Sequence, residues 1–378
     1  MKIAIIMPLA EQRGGGELMV LHLLQQGQDL GVTWLVVFLA DGPMVKQVRD
    51  LGVETLVVNA GRLRELPRYL RAVRQIAGTV RREKVDLIFG WMNQGHLYGG
   101  IAAKLAGVPT AWYQIGLPLA PGWNDRIATR ISALGILACS QAGADAQARL
   151  KPRYPMPVVY PGVELERFNP DTLPTPAEAR RQLGLPIHGP LIGIAGRLQR
   201  WKGMHVLIEA MPQILKSHSD AHCVIVGGEH APEPEYPAYL RERIGLLGLT
   251  NKVTLAGLQS NVPLWMQAMD VIVHASDHEP FGIVVIEAMA LGKSVVAGNT
   301  AGPTEVITDG VNGLLTPYGN ADALASAVLR HLDDPEFARQ AGTAARVRAQ
   351  DFSTRHYAEN CISALQSLVT QTNGTKLA

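Results

Sequence analysis

The strongest constraint on the fold is an alternation of short apolar runs with helical stretches, which occurs twice along the chain. In the first half, apolar runs predict strands at 2–7, 34–39, 53–58, 87–91, 110–114 and 136–139. The stretches between them predict helices at 17–29, 43–51, 67–83 and 96–106. Strands that are apolar throughout and joined by helices are typical of a parallel sheet that is covered on both faces. We therefore predict a doubly wound α/β domain.

The second half repeats this pattern after an interruption. Residues 163–190 are rich in proline and predict a linker. Strands are then predicted at 191–195, 222–226, 253–256, 271–274 and 294–298, and helices at 204–215, 237–247, 262–268, 282–290 and 321–330. The chain thus predicts two Rossmann-like domains, 1–172 and 185–352. Because ligands bind beyond the carboxyl ends of such strands, we expect two facing sheets to form a cleft.

Composition excludes several classes of protein. The 378 residues are 47% hydrophobic and 18% charged, which favours large cores over disorder. The net charge of +2 gives no support to nucleic-acid binding. Three widely spaced cysteines, Cys139, Cys223 and Cys361, indicate reduced thiols and a cytoplasmic location.

The N-terminal segment predicts a first strand rather than a leader. Its apolar run ends at Glu11 and is shorter than a signal peptide requires. No apolar run approaches the roughly 18–20 residues of a membrane span. We expect a cytoplasmic protein, with peripheral binding to the inner face of the cell membrane as a further expectation.

The segment 274–292 is the most informative for chemistry. It reads HASDHEPFGIVVIEAMALG and places Glu279 in a loop, Gly282 at a helix start and Glu287 on that helix. Free N–H groups at a helix start hold anions. This segment therefore predicts a ligand with a diphosphate between two hydroxyl-rich rings, as in a nucleotide-sugar.

A second motif adds positive charge. The first strand of the second half ends in GRLQRWKG, which carries Arg197 and Lys202. Two cations beyond a strand tip could offset the charge of a diphosphate through charge-assisted hydrogen bonds; the alternative is a pair of solvated loop cations. The sequence contains no Asp-x-Asp pair and no His/Cys spacing of a metal site, so we expect neither a metal nor a cofactor.

In the first half, Gly14, Gly15 and Gly16 follow the first strand. Such a turn lets the backbone approach a ligand closely, and these three glycines are candidate donor-binding residues. The spacing is not G-x-G-x-x-G, although Asp41 at the end of the second strand keeps a nicotinamide-dependent dehydrogenase as an alternative. A plain flexible turn is the other interpretation.

Polar residues after the strand 87–91 suggest an acceptor site. His96 lies near a predicted helix start and is a candidate general base or hydroxyl ligand. Asn93 and Gln94 are candidates for hydrogen bonds to a sugar. A lone histidine is also commonly structural.

The segment 62–84 is strongly basic. Its cations are Arg62, Arg64, Arg68, Arg71, Arg74, Arg81, Arg82 and Lys84. Arg64, Arg68 and Arg71 share one helical face. A solvated helix face is the default interpretation. The alternative is contact with an anionic membrane or with an acceptor diphosphate.

These motifs resemble those of glycosyltransferase family 4. The resemblance rests on GRLQRWKG, EPFGIVVIEAMALGKSVVA and AGPTEVITDGVNGLL, and is looser in the first half at the glycine turn, HLYGGIAAKLAGVP and VVYPGVELERFNP. It implies the GT-B fold, an α/β architecture of two Rossmann-like domains facing a central cleft. The first domain would bind the acceptor and the second the donor, while a C-terminal helix, about 354–378, would pack back on the first.

The resemblance also implies roles for residues. Arg197 and Lys202 match the cations of the donor diphosphate, and Glu279 matches the acid that contacts the donor sugar. Glu287 matches the acid of the ribose hydroxyls. Backbone N–H groups near Phe281, Gly282 and Ile283 would contact the sugar and phosphate.

One position departs from the family pattern. Many members carry His-Gly after the strand that here reads TAWYQIGLP, whereas this chain has Ile115 and Gly116 with Gln114 before them. Gln114 thus joins Asn93 and Gln94 as an acceptor candidate, and His96 is the nearby histidine candidate.

The resemblance implies a retaining, metal-independent hexosyltransferase. It would move a hexose from a UDP- or GDP-sugar to a hydroxyl of a glycan or lipid-linked glycan in cell-surface polysaccharide synthesis. The acceptor hydroxyl would attack the face that the diphosphate leaves. A non-catalytic nucleotide-sugar-binding regulator or partner protein is the alternative, motivated by the missing histidine.

Overall fold

The apolar runs of the first half form strands of one parallel sheet. The computed structural model describes residues 1–12 and 14–375, with the backbone alone for residues 372–375. Within those residues the first sheet has six strands in the order β3-β2-β1-β4-β5-β6. The strands are β1 Lys2–Met7, β2 Thr33–Phe38, β3 Glu54–Val57, β4 Leu87–Trp91, β5 Thr110–Gln114 and β6 Ile136–Ala138. All residues of β4 and β5 are buried because helices cover both faces.

The helices of the first half connect these strands. They are α1 Gly15–Gln26, α2 Pro43–Asp50, α3 Leu66–Arg82, α4 Met92–Ala106, α5 Trp123–Arg130 and α6 Gln141–Ala148. The amphipathic α3 buries Val73, Ile76 and Val80 against the sheet. Its arginines lie on the other side, since i, i+3, i+4 spacing separates the two faces.

The second sheet repeats the topology of the first. Over the described part of the chain its six strands are ordered β12-β11-β10-β7-β8-β9, all parallel. They are β7 Leu191–Ala195, β8 His222–Val226, β9 Val253–Gly257, β10 Val271–His274, β11 Ser294–Gly298 and β12 Leu314–Thr316. The helices after α6 are α7 Pro176–Leu183, α8 Met204–Ser217, α9 Tyr236–Leu246, α10 Val262–Ala268, α11 Ile283–Ala290, α12 Pro303–Val306, α13 Ala321–Asp333, α14 Pro335–Ala349 and α15 Thr354–Thr375. The predicted doubly wound parallel-sheet architecture is confirmed, although β12 was not predicted.

The last helix belongs to the first unit. The chain divides into Met1–Gly162 with the C-terminal helix, and Val163–Ser353. Helix α15 packs on α1, and Arg355 donates to Asp29 at 2.6 Å. The ring of Tyr357 stacks on Tyr113 with centroids 6.4 Å apart. The last three residues of the predicted 354–378 helix lie outside the described residues.

The predicted domain boundary and linker need correction. Residues 163–172, predicted in the first domain, belong to the second unit: the Val163 N–H donates to Phe352 O at 2.8 Å. The predicted linker contains α7, which starts with a reciprocal cap between Thr175 and Glu178. That T-x-x-E pattern, with Pro176 at the first helical position, is a helix-start signal that the proline count concealed.

Helix α7 is attached to the second sheet through Arg180. Its Nη2 lies 2.5 Å from Oδ2 of Asp270, and Nε donates to Ala268 O at 2.9 Å. Nη1 donates to Gly189 O at 3.0 Å. The Arg180 side chain is buried, whereas Asp270 is 41% exposed. One guanidinium therefore donates hydrogen bonds to acceptors from several separate segments of the second unit.

We predict that Arg180→Ala lowers the free energy of unfolding by about 2–3 kcal/mol, because it removes a donor from three carbonyls and the cationic partner of Asp270, whose carboxylate keeps the Leu191 N–H. Arg181→Ala is the matched control, since Arg181 is exposed on the same helix; we expect it to change stability by less than about 0.5 kcal/mol. Urea unfolding of the two variants checks this. Equal losses would contradict the anchoring role of Arg180.

Candidate functional site

The order of strands reverses at one point in each described sheet, between β1 and β4 in the first and between β7 and β10 in the second. Ligands of open parallel sheets bind beyond the carboxyl ends of the strands at such a point. The loops that follow these four strands therefore define the candidate sites of the two units.

In the second unit, the two sides of the reversal bring Lys202 and Glu279 together. Lys202 ends the 3₁₀ turn Arg200–Lys202 after β7, and Glu279 lies in the loop after β10. Nζ of Lys202 contacts Oε2 of Glu279. Nε2 of His274, at the end of β10, lies 3.1 Å from the same oxygen, and Ser276 Oγ lies 3.3 Å from that Nε2. Two nitrogen groups thus hold one carboxylate whose side chain is 13% exposed.

The environment of Glu279 keeps it ionised. Burial alone raises the pKa of a carboxyl group, but the charge of Lys202 and the hydrogen bond with His274 outweigh burial and hold the pKa of Glu279 below its usual range. The carboxylate therefore remains a hydrogen-bond acceptor at neutral pH. It can accept hydroxyl groups of a sugar while Lys202 keeps further N–H donors.

Close contacts hold the two loops together. The Asp277 N–H donates to Trp201 O at 2.9 Å, and the rings of Trp201 and His278 stack with centroids 4.9 Å apart. Between Lys202 and the next helix, Gly203 has φ +74°, and a Cβ there would lie 2.0 Å from Ala275 O. Only glycine allows the loop after β7 to pass this close to the end of β10.

Helix α11 begins directly after the acid loop. Its first residue, Ile283, follows Gly282, which has φ +100° and caps the helix. The first N–H groups of a helix have no partner within it and point out of its N-terminus. The Phe281 side chain is buried against Phe352, with ring centroids 5.6 Å apart. The Gly302 N–H donates to Glu279 O at 3.0 Å, and a Cβ at Gly302 would lie 2.2 Å from Cα of Phe281. The side chain of Phe281 therefore packs in the interior, and its backbone is the part that could contact a ligand.

Arg197 and Glu287 complete the predicted donor residues. Arg197 is exposed and directly follows Gly196 at the end of β7. Glu287 is half-buried on α11, and burial raises its pKa to about 8; the charge of Arg167 opposes this rise and that of Glu164 adds to it. Hydroxyl groups of a ligand that donate to Glu287 would therefore favour loss of the proton from its carboxyl group.

In the first unit, the glycine turn lies beside the loops after β4 and β5. Trp91 Nε1 donates to Gly16 O at 3.0 Å. A Cβ at Gly16 would lie 3.1 Å from Cε of Met92 and 3.5 Å from Cγ2 of Ile115. Gly14, Gly15 and Gly16 open α1 at the carboxyl edge of this sheet. Ile115 thus makes an apolar wall beside the turn.

The predicted acceptor amides have different surroundings. Asn93 Nδ2 donates to Asp125 Oδ1 at 2.6 Å. Gln114 is buried and donates through Nε2 to Gln147 Oε1 at 2.9 Å, and Gln147 in turn donates to Thr129 Oγ1 at 2.7 Å. Gln114 is therefore part of an internal network, and Asn93 is held in place by an acid. Gln94 is half-buried at the start of α4.

The prediction for His96 needs correction. The side chain is 0% exposed, and its ring stacks on Trp112 with centroids 5.4 Å apart. Burial lowers its pKa to about 4. An acceptor hydroxyl cannot reach a ring enclosed in this way, so His96 is a packing residue. Its position on the buried face of α4, beside Gly100, was not evident from one histidine in the sequence.

Sequence reasoning missed His274. The residue belongs to the apolar strand β10 and is buried, so strand periodicity assigned it to the core. Its distance of five residues from Glu279, across a strand end, is the signal that could have identified it. Trp201 and His278 were missed because their stacking joins segments 77 residues apart in sequence.

Comparison with known proteins agrees with this geometry. The model of glycosyltransferase family 4 matches residues 13–167, and that of glycosyl transferases group 1 matches residues 176–348. The chain belongs to the GT4-type glycosyltransferases. The solved structure of Anabaena HepE in complex with UDP has 28% identity and a TM-score of 0.87, with 97% of this chain and 100% of HepE covered. The GT-B fold implied by the motifs is thereby confirmed.

Curated relatives match over shorter stretches. The D-inositol 3-phosphate glycosyltransferase of Corynebacterium urealyticum is 33% identical over 219 residues, 56% of this chain and 51% of the relative. The lipopolysaccharide core biosynthesis mannosyltransferase LpsB of Rhizobium meliloti is 28% identical over 218 residues, 57% of this chain and 62% of LpsB. The chain thus spans between half and two thirds of the length of these relatives.

Among the residues that the structure describes, no helix has the length and apolar character that crossing a bilayer requires.

We predict that the pKa of Glu287 is visible in the pH dependence of stability. Because its folded pKa of about 8 lies above the ordinary value of 4.5, the folded state binds the proton more tightly than the unfolded state. Its contribution to stability is full below pH 4.5 and is lost as the pH rises through 8. Wild-type protein should therefore lose stability relative to Glu287→Gln between these pH values, measured by thermal midpoints without nucleotide.

The control is Glu242→Gln, because Glu242 is exposed on α9. We expect this variant to follow the wild-type pH profile. Parallel profiles for wild type and Glu287→Gln would show that Glu287 titrates as an ordinary carboxyl group.

Proposed function

We propose that this protein is a retaining glycosyltransferase that moves a hexose from a UDP-sugar to a hydroxyl group of a glycan or lipid-linked glycan. The observation that carries the proposal is the ionised Glu279, held by Lys202 and His274 at the strand-order reversal of the second sheet. Solved complexes of HepE with UDP and with UDP-glucose, which share 28% and 27% identity with this chain, support a uridine donor.

Each donor residue has a role that its surroundings permit. The exposed Arg197 and the partly accessible Lys202 bind the diphosphate, together with N–H groups at the start of α11. Glu279 accepts hydroxyl groups of the hexose. Glu287 accepts the ribose hydroxyls, and its raised pKa couples nucleotide binding to release of a proton.

The proposed reaction breaks the bond between the anomeric carbon and the diphosphate oxygen. The acceptor hydroxyl forms the new bond on the face that the diphosphate leaves, so the anomeric configuration is retained. Its proton passes to an oxygen of the departing phosphate. Arg197 and Lys202 stabilise the negative charge that develops there, and we propose that no divalent cation is required.

We assign acceptor binding to the first unit. Since Gln114 and Asn93 are engaged internally, the amide of Gln94, the glycine turn and the apolar wall of Ile115 are the proposed contacts. LpsB is named as a lipopolysaccharide core enzyme, which supports a glycan acceptor in glycoconjugate or polysaccharide synthesis. A base on the protein is not part of this proposal, because His96 is enclosed.

A direct assay tests the proposal. Purified protein with EDTA is incubated with UDP-glucose, UDP-galactose, UDP-N-acetylglucosamine or GDP-mannose and a panel of lipid-linked glycans, and nucleoside diphosphate release is followed. We expect acceptor-dependent release with a uridine donor and a product of retained configuration by NMR. Donor binding by calorimetry without turnover on any acceptor would favour the non-catalytic alternative, and no binding would remove both.

Arg197→Ala should lower turnover more than donor affinity, because its contact strengthens as the diphosphate leaves. We expect a decrease in kcat of roughly 10²-fold, in the range for loss of one charge-stabilising donor. Donor Kd from calorimetry should change by less than about fivefold, within one hydrogen bond of net energy. Arg241→Ala, at an exposed arginine on α9, is the control and should change neither. A loss of donor affinity with kcat unchanged would assign Arg197 to binding alone.

A further inference from the structure

The carboxyl edge of the first sheet carries two exposed apolar patches. The first, the Leu66 patch, consists of Leu66 and Leu70 on α3. The second, the Trp123 patch, consists of Leu119, Trp123 and Ile127 on α5 and the loop before it. Leu66 and Trp123, 60% and 57% exposed, are each the first residue of a helix that begins at this edge.

Both patches are bordered by positive charge. Leu66, Pro67, Leu70, Arg71 and Arg74 line one shallow depression on the surface. A second depression, formed by the ends of β2 and β3, also includes Arg71, together with Arg68. On α5, Arg126 and Arg130 are exposed next to the Trp123 patch. Apolar side chains among arginines are complementary to a surface with anionic headgroups over an apolar interior.

The arginines are largely available for such a contact. Arg68 pairs with Glu65 at 2.6 Å, whereas Arg62, Arg64, Arg71 and Arg74 are exposed in the same segment. The neutral donors of Asp125 and Asp41, the Asn93 amide and the Gly42 N–H, do not offset the negative charge of these acids. The exposed arginines of α3, of the loop before it and of α5 outnumber the acids at this edge, so the balance of charge there is positive.

The spacing of the two patches fits a partner with a flat surface better than one that fills a groove. The patches follow β3 and β5, which are separated by β2, β1 and β4 in the sheet. Four strand spacings place them about 19 Å apart on the same edge. Two contact points at this spacing on one edge can both rest on a flat surface, and tryptophan is one of the side chains enriched at the headgroup level of a bilayer.

We propose that the carboxyl edge of the first unit docks on an anionic lipid bilayer, with the Leu66 and Trp123 patches inserted at headgroup level and Arg71 and Arg74 on lipid phosphates. The proposed acceptor contacts, the glycine turn and Gln94, lie on the same edge. A lipid-linked acceptor would thus be met at the membrane surface. This last consequence rests on the proposed function; the docking itself does not.

Vesicle cosedimentation tests the docking without donor or acceptor, so its failure leaves the transfer reaction untouched. Vesicles of 30% phosphatidylglycerol in phosphatidylcholine are compared with pure phosphatidylcholine. We expect binding to the anionic vesicles only, decreasing as salt screens the charges. Equal binding to both compositions, or to neither, overturns the proposal.

Two variants and a matched control assign the surface. Each arginine at a membrane surface contributes about fivefold in partitioning, so Arg71→Gln with Arg74→Gln should lower binding roughly 10- to 25-fold. Trp123→Gln with Ile127→Gln should lower it by about tenfold or more, through loss of apolar insertion. Arg241→Gln with Leu246→Gln removes an exposed arginine and an exposed leucine from α9 of the second unit and should bind as wild type.

Circular dichroism and thermal midpoints establish that the variants fold, as expected for exposed positions. Equal losses in all three double variants would overturn the assignment. So would sedimentation showing that the Trp123 patch mediates a dimer, with vesicle binding unchanged in Trp123→Gln with Ile127→Gln.

Discussion

The second unit depends on a carboxylate that stays charged although it is withdrawn from water. An isolated buried charge is strongly unfavourable, and Glu279 is tolerated because Lys202 and His274 both reach one of its oxygens. Lys202 follows β7 and His274 ends β10, and these two strands are neighbours in the sheet. Lys202 and Glu279, which contact each other, are 77 residues apart in the sequence. The strand order therefore creates the site: if β7 and β10 were not adjacent, the lysine and the acid could not meet. The glycines at 203 and 302 serve the same end, since each lets one loop lie within contact distance of another.

The two units share a topology and differ in the chemistry at its carboxyl edge. At the point of strand-order reversal, the second unit offers charged side chains: Arg197, Lys202 and Glu279. At the corresponding point of the first unit, the glycine turn is bordered by Met92 and Ile115, and the amides of Asn93 and Gln114 make internal hydrogen bonds. The proposed assignment of the donor diphosphate to the second unit and of the acceptor to the first rests on this difference. It arises on one shared topology because the loops, not the strands, carry the functional groups.

Long, uniformly buried strands were predictable because their apolar runs carry the signal within a few residues. Prediction failed where the local signal is short or was hidden by composition, and where the deciding contact is distant. The three-residue edge strand β12 is too short for a pattern, and α7 lies in a proline-rich stretch where composition suggested a linker. Among site residues, the paired acids and the two cations were predicted from their motif, and the structure places Lys202 against Glu279. His274 was not, because a histidine inside an apolar strand looks like core until Glu279 is placed beside it.

The sequence by itself determined the alternation of strands and helices that occurs twice along the chain, the helix start at Gly282 and the types of side chain that follow each strand. These features depend on neighbours within one turn or one strand. Only the tertiary structure decided which of these side chains are ionised and which are exposed. It shows that Glu279 is held ionised while burial raises the pKa of Glu287 to about 8, although both are glutamates of one short segment. It encloses His96 against Trp112 and leaves Trp123 in solvent. Protonation and exposure are set by atoms from remote parts of the chain, because electric fields and packing act through space rather than along the backbone.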